Sequence, residues 1–343
     1  MPENTVFEDV RHELWMQISK ELYRRVFAEE SPEAIYSWIT KKISNMQPEQ
    51  QAKIVTSWPE SFEIYDREIN RRIGISQLPE SEKKSFSWPW TSWNNIIDPA
   101  EGGMLVVIAG PDGAGKTSYA ECISENWAKK GLKVVFVHFE LSKIIMFDRR
   151  AVRHTAIARR SLKLAGDLST ADLRKIEETK TRLLNWPGEI TYLHTPGKSF
   201  EIVLLEVDKL IEQKRCDVVI IDYLEKAASS SKQLKEFGSN MFAREAADVE
   251  LLKSWSENND APMVVLSQFN KAGKHSGFGD LDRTMIRGAG EKTEKANVVV
   301  LLQPDKNKPG VMNVRIDKNT LGPTGNIQQF FDAQHFSIGD VQR

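Results

Sequence analysis

The sequence predicts an α/β fold, a mostly parallel sheet covered on both faces by helices, behind a small all-helical N-terminal segment. Three observations predict it. Seven short runs rich in β-branched residues follow residue 91, from "MLVVIAG" at 104–110 to "VMNVRIDKN" at 311–319. Polar helical stretches at 116–130, 142–165 and 169–185 separate the first of them. The runs are apolar at successive rather than alternate positions. Strands of that kind are buried on both faces, as in parallel sheets with helical crossovers.

Residues 1–75 read as a helical domain. Val10, Leu14, Ile18, Leu22 and Val26 recur every four residues and line one helix face. In "SPEA" at 31–34, Ser31 caps a helix and Pro32 sits in its first turn, with Trp38, Ile39 and Ile43 continuing an apolar face. Trp58-Pro59 interrupts the pattern, and 60–73 suits a further helix. Residues 76–90, "SQLPESEKKSFSWPW" from Ser76, are polar with two prolines and read as a linker. Residues 91–343 then form the α/β domain. Its remaining strands are "KVVFVHFE" 133–140, "EITYLHT" 189–195, "CDVVIIDYLE" 216–225, "PMVVLSQFN" 262–270 and "ANVVVLLQP" 296–304.

Composition bounds the function. The chain has 343 residues and a formal net charge of −1, so any nucleic-acid contact must come from a local basic patch. Cys122 and Cys216 lie far apart without metal-ligand spacing, which fits a reducing cytoplasm and no disulfide framework. No apolar run approaches the length of a membrane span, and the N-terminus lacks a signal pattern. These features predict a soluble cytoplasmic protein with no membrane partner.

The stretch "AGPDGAGKTS" at 109–118 carries the chemistry. Gly110 to Thr117 fits GxxxxGK[ST], after a strand and opening a helix, the context in which that pattern forms a phosphate loop. Gly110, Gly113 and Gly115 let the backbone turn its N–H groups inward, and the helix N-terminus, with Lys116, Thr117 and Ser118, completes a cradle for ATP phosphates. Lys116 faces the β- and γ-phosphates, and Thr117 ligates Mg2+. Asp222 follows four aliphatic residues in "VVIID", where a buried strand reaches its C-terminal end, and is the second candidate for Mg2+. Two further strand ends offer a group to orient water or report the γ-phosphate: the carboxylate of Glu140 and the amide of Gln268.

Read together, "HFELS" 138–142, "VVIIDYLEKA" 218–227, "VVLSQFNKAGK" 264–274, "IRGAGEKTEKANVVVLL" 286–302 and "VRIDKNTLGPTG" 314–325 resemble, in that order, the ATPase domain of DnaB-type replicative helicases. "WNNIIDPAEGGMLVVIAG" resembles that family's entry into its first strand. The resemblance covers about residues 90–335. It implies a RecA-like core that forms hexameric rings on single-stranded DNA, hydrolyses ATP with Mg2+, and works with other replication proteins, here through the N-terminal domain. It also implies that Glu140 is the catalytic glutamate, Asp222 the Walker-B aspartate, and Gln268 the link from γ-phosphate to DNA loops. "IRGAGEKTE" resembles the DNA-contacting loop, so Arg287, Gly288 and Gly290 match positions on the phosphodiester backbone, with Lys292 and Lys295 as candidate added charge. Glycine N–H groups and an arginine suit phosphates and carry little sequence information.

Departures qualify the activity. Where the family has KxRxGP this chain has "KNTLGP". Lys318 matches the lysine that acts on a neighbouring subunit's ATP, but Thr320 stands in the place of the arginine finger, a group worth orders of magnitude in rate. Arg315 is a candidate partial substitute. Asn297 replaces an acidic residue. The leading reading is a DNA-translocating ATPase. An ATP-switched DNA-binding or loading protein is the alternative, and a small-molecule kinase, which the phosphate loop also permits, is a third.

Overall fold

The structure is a computed structural model that describes residues 57–78, 85–164, 166–270, 279 and 281–341, with nine further positions between 21 and 39. The chain divides into two compact units, Met1–Gln77 and Leu78–Arg343. In the first unit the expected stripe lies, apart from Leu22, outside the described residues. Helix α1 (Trp58–Ser76) begins where Ser57 and Glu60 form a capping box, with Pro59 in the first turn. None of its residues is buried, and Trp58, Phe62, Tyr65 and Ile73 lie exposed along it.

In the second unit, the end of the expected linker is core. Trp88 and Trp90 are buried beside Trp93 of the short helix α2 (Thr91–Asn94) and Trp127, with ring centroids 5.0–5.5 Å apart. Trp88 Nε1 donates to the Asp98 carbonyl at 3.0 Å, and Asn126 Nδ2 donates to the Ser87 carbonyl at 2.7 Å. The prolines imitate a linker, but the tryptophans on either side of Pro89 bury enough apolar surface to fix the segment.

All seven expected strands form: β1 (Leu105–Gly110), β2 (Lys133–His138), β3 (Glu189–His194), β4 (Val218–Asp222), β5 (Met263–Gln268), β6 (Val298–Pro304) and β7 (Val311–Asn319). Two more, β8 (Gly325–Asp332) and β9 (Ser337–Asp340), extend the sheet beyond the sequence reading. The order among the described residues is β3-β2-β4-β5-β1-β6-β7-β8-β9. The six strands from β3 to β6 in that order run parallel, and β7 to β9 continue antiparallel as hairpins.

Among the described residues, helices α3 (Lys116–Lys129), α4 (Lys143–Thr155), α5 (Arg159–Leu164), α6 (Thr170–Leu184), α7 (Phe200–Glu212), α8 (Ser231–Phe237), α9 (Met241–Asn258) and α10 (Ala289–Lys295) accompany the sheet. The single helix expected at 142–165 is two, because Ala156 adopts a left-handed φ of 58° that ends α4. Alternate strand residues feed opposite cores. Val106, Ile108, Val134, Phe136 and Ile220 pack with Tyr119 and Trp127 on one face, and Val135, Val219, Ile221 and Val265 pack with Val203, Val249 and Leu252 on the other. The parallel arrangement brings the C-terminal ends of β1, β2, β4 and β5 to one edge, where a ligand of an open α/β sheet binds. Among the described residues no helix is long and apolar enough to cross a membrane.

Candidate functional site

At that edge a cleft of about 560 Å3 is lined by Gly113, Lys116, Thr117, Asp222, Glu140 and Gln268, among others. Separate sequence motifs thus meet in one place. Gly113 and Gly115 hold φ of 75° and 78°, conformations that cost a side chain energy but glycine little. A Cβ on Gly115 would also stand 2.7 Å from the Phe331 ring. The loop needs glycine there twice over. It leaves the first N–H groups of α3 without intrahelical partners, which is the anion-binding arrangement.

Lys116 is nearly buried, and its Nζ donates to the carbonyls of Gly110 and Pro111 at 2.9 Å each. The ammonium therefore stays on the loop, beside the place for phosphate. Thr117 Oγ1 donates to Asp222 Oδ2 at 2.8 Å. Burial pushes the Asp222 carboxyl up to about 6, with the Thr117 hydrogen bond acting in the opposite direction and Glu121 adding to the rise. A hydroxyl and a buried carboxylate side by side are the hard oxygen donors that Mg2+ takes alongside phosphate. The site therefore fits a magnesium nucleotide by its donor set and by its glycine cradle.

Glu140 lies two residues beyond β2 and is half-exposed, with Oε1 3.7 Å from Lys226 Nζ. Gln268 ends β5 beside β1, its residue paired with Gly110. The sequence reading missed three groups on the cleft wall, Arg149, Phe331 and Phe336. Arg149, from α4, donates Nη2 to Ser118 Oγ at 2.9 Å and Nε to Glu121 Oε1 at 3.0 Å, and lies 4.2 Å from the Phe336 ring centroid. Behind it Glu121 and Glu125, both buried, pair with Arg153, and Glu125 also pairs with Arg150 and His154. Burial opposes ionisation of Glu125, but the His154 hydrogen bond and the two arginines overcome it and hold the carboxyl at about 2. A sequence signal existed. Two carboxylates four apart on an otherwise apolar helix face require cations, and the next helix carries "RRAVRH". Phe331 and Phe336 come from the β8–β9 hairpin, for which no strand was expected.

The candidate DNA segment, from Ile286, pairs with the chain at the end of β5. Arg287 N donates to the Gln268 carbonyl at 2.8 Å, joining the segment directly to the cleft. Gly288 has φ 62° and caps α10, on which exposed Gly290 lies. Arg287 is partly exposed, 3.7 Å from Glu245. Lys292 departs from the expectation. It is 1% exposed and its ammonium faces Glu225 and Glu245, so it does not present charge to solvent. Burial of this kind needs partner carboxylates, and these come from chain positions the reading had not connected. Lys295 pairs with Glu250. Residues 271–274 of the expected "NKAGK" stretch lie outside the described residues.

Lys318 does not line the cleft of its own chain. Its Nζ donates to the carbonyls of Thr293 and Glu294 at 2.9 and 2.7 Å, in the last turn of α10. Arg315 pairs with Asp317 at 3.0 Å. Asn297 accepts from Leu105 N and Lys253 Nζ, both at 2.9 Å, so the amide holds the start of β1.

A phosphate loop between β1 and α3, a carboxylate at the end of β4, and a sheet in this order define a RecA-like P-loop core. Residues 90–340 match the family model described as DnaB-like helicase C terminal domain, and the chain belongs to that family. It is 20% identical over 272 residues to the replicative DNA helicase DnaB of Rickettsia typhi (strain ATCC VR-144 / Wilmington), a match covering 70% of this chain and 53% of the relative. The chain thus spans about half the length of the curated relative it matches. The fold is shared with a DnaB-like replicative helicase solved with its interactions with primase, at TM-score 0.76 and 16% identity, over 99% of this chain and 78% of that one. It is also shared with a second solved structure, an ATPase domain, at TM-score 0.70 and 18% identity, over 84% of this chain and 100% of that one.

Proposed function

We propose that this chain is an ATP-driven translocase on single-stranded DNA, a DnaB-type helicase that works in replication in the cytoplasm as a homo-oligomeric, hexameric ring. The observation that carries the reading is the backbone bond between Gln268 and Arg287, which joins the nucleotide cleft to the candidate DNA segment. ATP is the substrate. Its phosphates lie along the N–H groups of 112–117, with Lys116 against the terminal oxygens. Thr117 and Asp222 would hold Mg2+, which when bound would supply charge neutralisation to those oxygens. Glu140 accepts a proton from the attacking water, and Gln268 reports whether the γ-phosphate is present. Arg287 with the N–H groups of Gly288 and Gly290 grips the DNA backbone. Other replication proteins, primase among them, dock through the N-terminal domain.

The test is ATP turnover with and without single-stranded DNA, followed by strand displacement on a forked duplex. Stimulation and unwinding are expected, and both are lost in Lys116→Ala. Absence of ATP-dependent unwinding under every loading condition refutes the helicase.

A second reading is an ATP-switched DNA-binding or loading protein with little unwinding. It is favoured by Thr320 in place of the arginine finger and by the engagement of Lys318 on α10. It predicts DNA binding that survives Glu140→Gln, together with negligible wild-type turnover.

A further inference from the structure

A buried ion cluster lies between the cleft and the DNA segment, on residues outside the phosphate-loop, metal and water-activating sets. Lys292 Nζ donates to Glu225 Oε1 at 2.7 Å and to the Arg287 carbonyl at 2.7 Å, and lies 2.9 Å from Glu245 Oε2. Glu225 belongs to the turn Leu224–Lys226, three residues past Asp222, and its side chain is 2% exposed. The same Glu225 oxygen accepts from Ser267 Oγ and, at 3.3 Å, from Gln268 N. Glu245, on α9, also faces Arg287 Nε at 3.7 Å, and its Oε2 would stand 2.9 Å from a Cβ on Gly288. Two carboxylates thus balance one lysine and one arginine.

Each member of the cluster touches a different part of the site. Glu225 follows the strand that ends in Asp222, Ser267 and Gln268 end β5 at the cleft, and Arg287 and Gly288 open the candidate DNA segment. Charged hydrogen bonds in a low-dielectric interior are strong when complete and costly when half-broken, so such a cluster holds discrete arrangements rather than a continuum. Apolar residues of similar size would hold a static interior at least as well.

We propose that Lys292 is a positioning residue. Through Glu225 and Glu245 it clamps Gln268 and Arg287 into one unit, so that a displacement at the γ-phosphate is passed to the DNA grip. The proposal rests on the reading of the chain as an ATP-driven DNA translocase. It adds the charged link between the two sites that reading requires.

The test compares wild type with the double variant Glu225→Gln/Lys292→Met, which removes one charge of each sign at nearly constant volume. Three quantities are measured: melting temperature, the ratio of ATP turnover with to without single-stranded DNA, and the ratio of DNA affinities with and without a nucleotide analogue. The melting temperature is expected within a few degrees of wild type, while both ratios fall to about one. A stable double variant whose ratios equal those of wild type overturns the proposal and leaves the cluster a packing element. Should the double variant melt early, Glu225→Gln alone decides the matter, since Glu245 still matches Lys292. A several-fold fall in both ratios supports the clamp, and wild-type ratios overturn it. Wild-type protein that shows no response to DNA refutes the translocase reading and the clamp together.

Discussion

Thr117 Oγ1 and Asp222 Oδ2 stand 2.8 Å apart, although the residues lie 105 positions apart in the chain. The start of α3 and the end of β4 are therefore joined through the two oxygens proposed for the cation. Asp222 has a carboxyl raised from its ordinary 3.8 to about 6 by burial.

That rise fixes a pH dependence. The folded chain holds the Asp222 proton more tightly than the unfolded chain does. The stability this gives is fully present below about pH 4 and is lost as pH rises through about 6, by at most about 3 kcal/mol. Cation binding needs the carboxylate and runs the other way, weakening as pH falls through 6. Melting temperatures without Mg2+ from pH 4 to 7 should therefore decline more steeply in wild type than in Asp222→Asn. Asp248, raised by burial to about 7, titrates alongside but is common to both proteins, so their difference isolates Asp222.

Glu140→Gln keeps the shape of the proposed base and removes its proton acceptor. Nucleotide affinity should stay within a few-fold of wild type, while single-turnover hydrolysis falls by about 100-fold or more. Equal rates in the two proteins would remove Glu140 from the chemistry. Because Glu140 is half-exposed, its pair with Lys226 contributes less than about 1 kcal/mol, and the melting temperature should not move.

Arg287→Ala should weaken binding to single-stranded DNA by a similar factor for every sequence. The salt dependence of log affinity should flatten by about one unit, the signature of one lost phosphate contact. A loss confined to particular base sequences would contradict a backbone contact.

Gly115→Ala meets two obstacles, a φ of 78° and a Phe331 ring 2.7 Å from the new Cβ. A destabilisation of roughly 1–3 kcal/mol is expected, with nucleotide binding reduced more than the melting temperature alone explains. Measured in a Phe331→Ala background, Gly115→Ala should cost only its backbone part. An unchanged cost in that background would show that the ring contact is harmless.

Much of this was legible in the residues. Five of the seven strand runs stood out because burial on both faces leaves the middle of a strand apolar, as in "VVII" before Asp222, whereas "EITYLH" and "VMNVRIDKN" stood out by their β-branched residues despite polar positions. The phosphate loop and the carboxylates at strand ends follow from the edge that a parallel sheet exposes. Strands β8 and β9 escaped because the polarity of "NIQQFF" does not follow its burial: Gln329 is buried and Phe330 exposed, so no period of two is visible. Phe331, Phe336 and Arg149 were hidden for a related reason. Their roles depend on which distant segments meet, and spacing along the chain does not encode that. Lys292 misled because a lysine in a polar helix reads as solvated. Only the fold shows two carboxylates waiting for it, from the turn after β4 and from α9.

The tryptophan cluster at the start of the second unit has a practical consequence. Trp88 and Trp93 are sealed from water, whereas Trp58 on α1 is 75% exposed. Ionic quenchers such as iodide reach the second kind of indole in the native protein and the first only after the sheet comes apart. Among the nine tryptophans of the chain, those of this cluster become open to iodide only when the core of the second unit opens, so that opening is followed by fluorescence without any label.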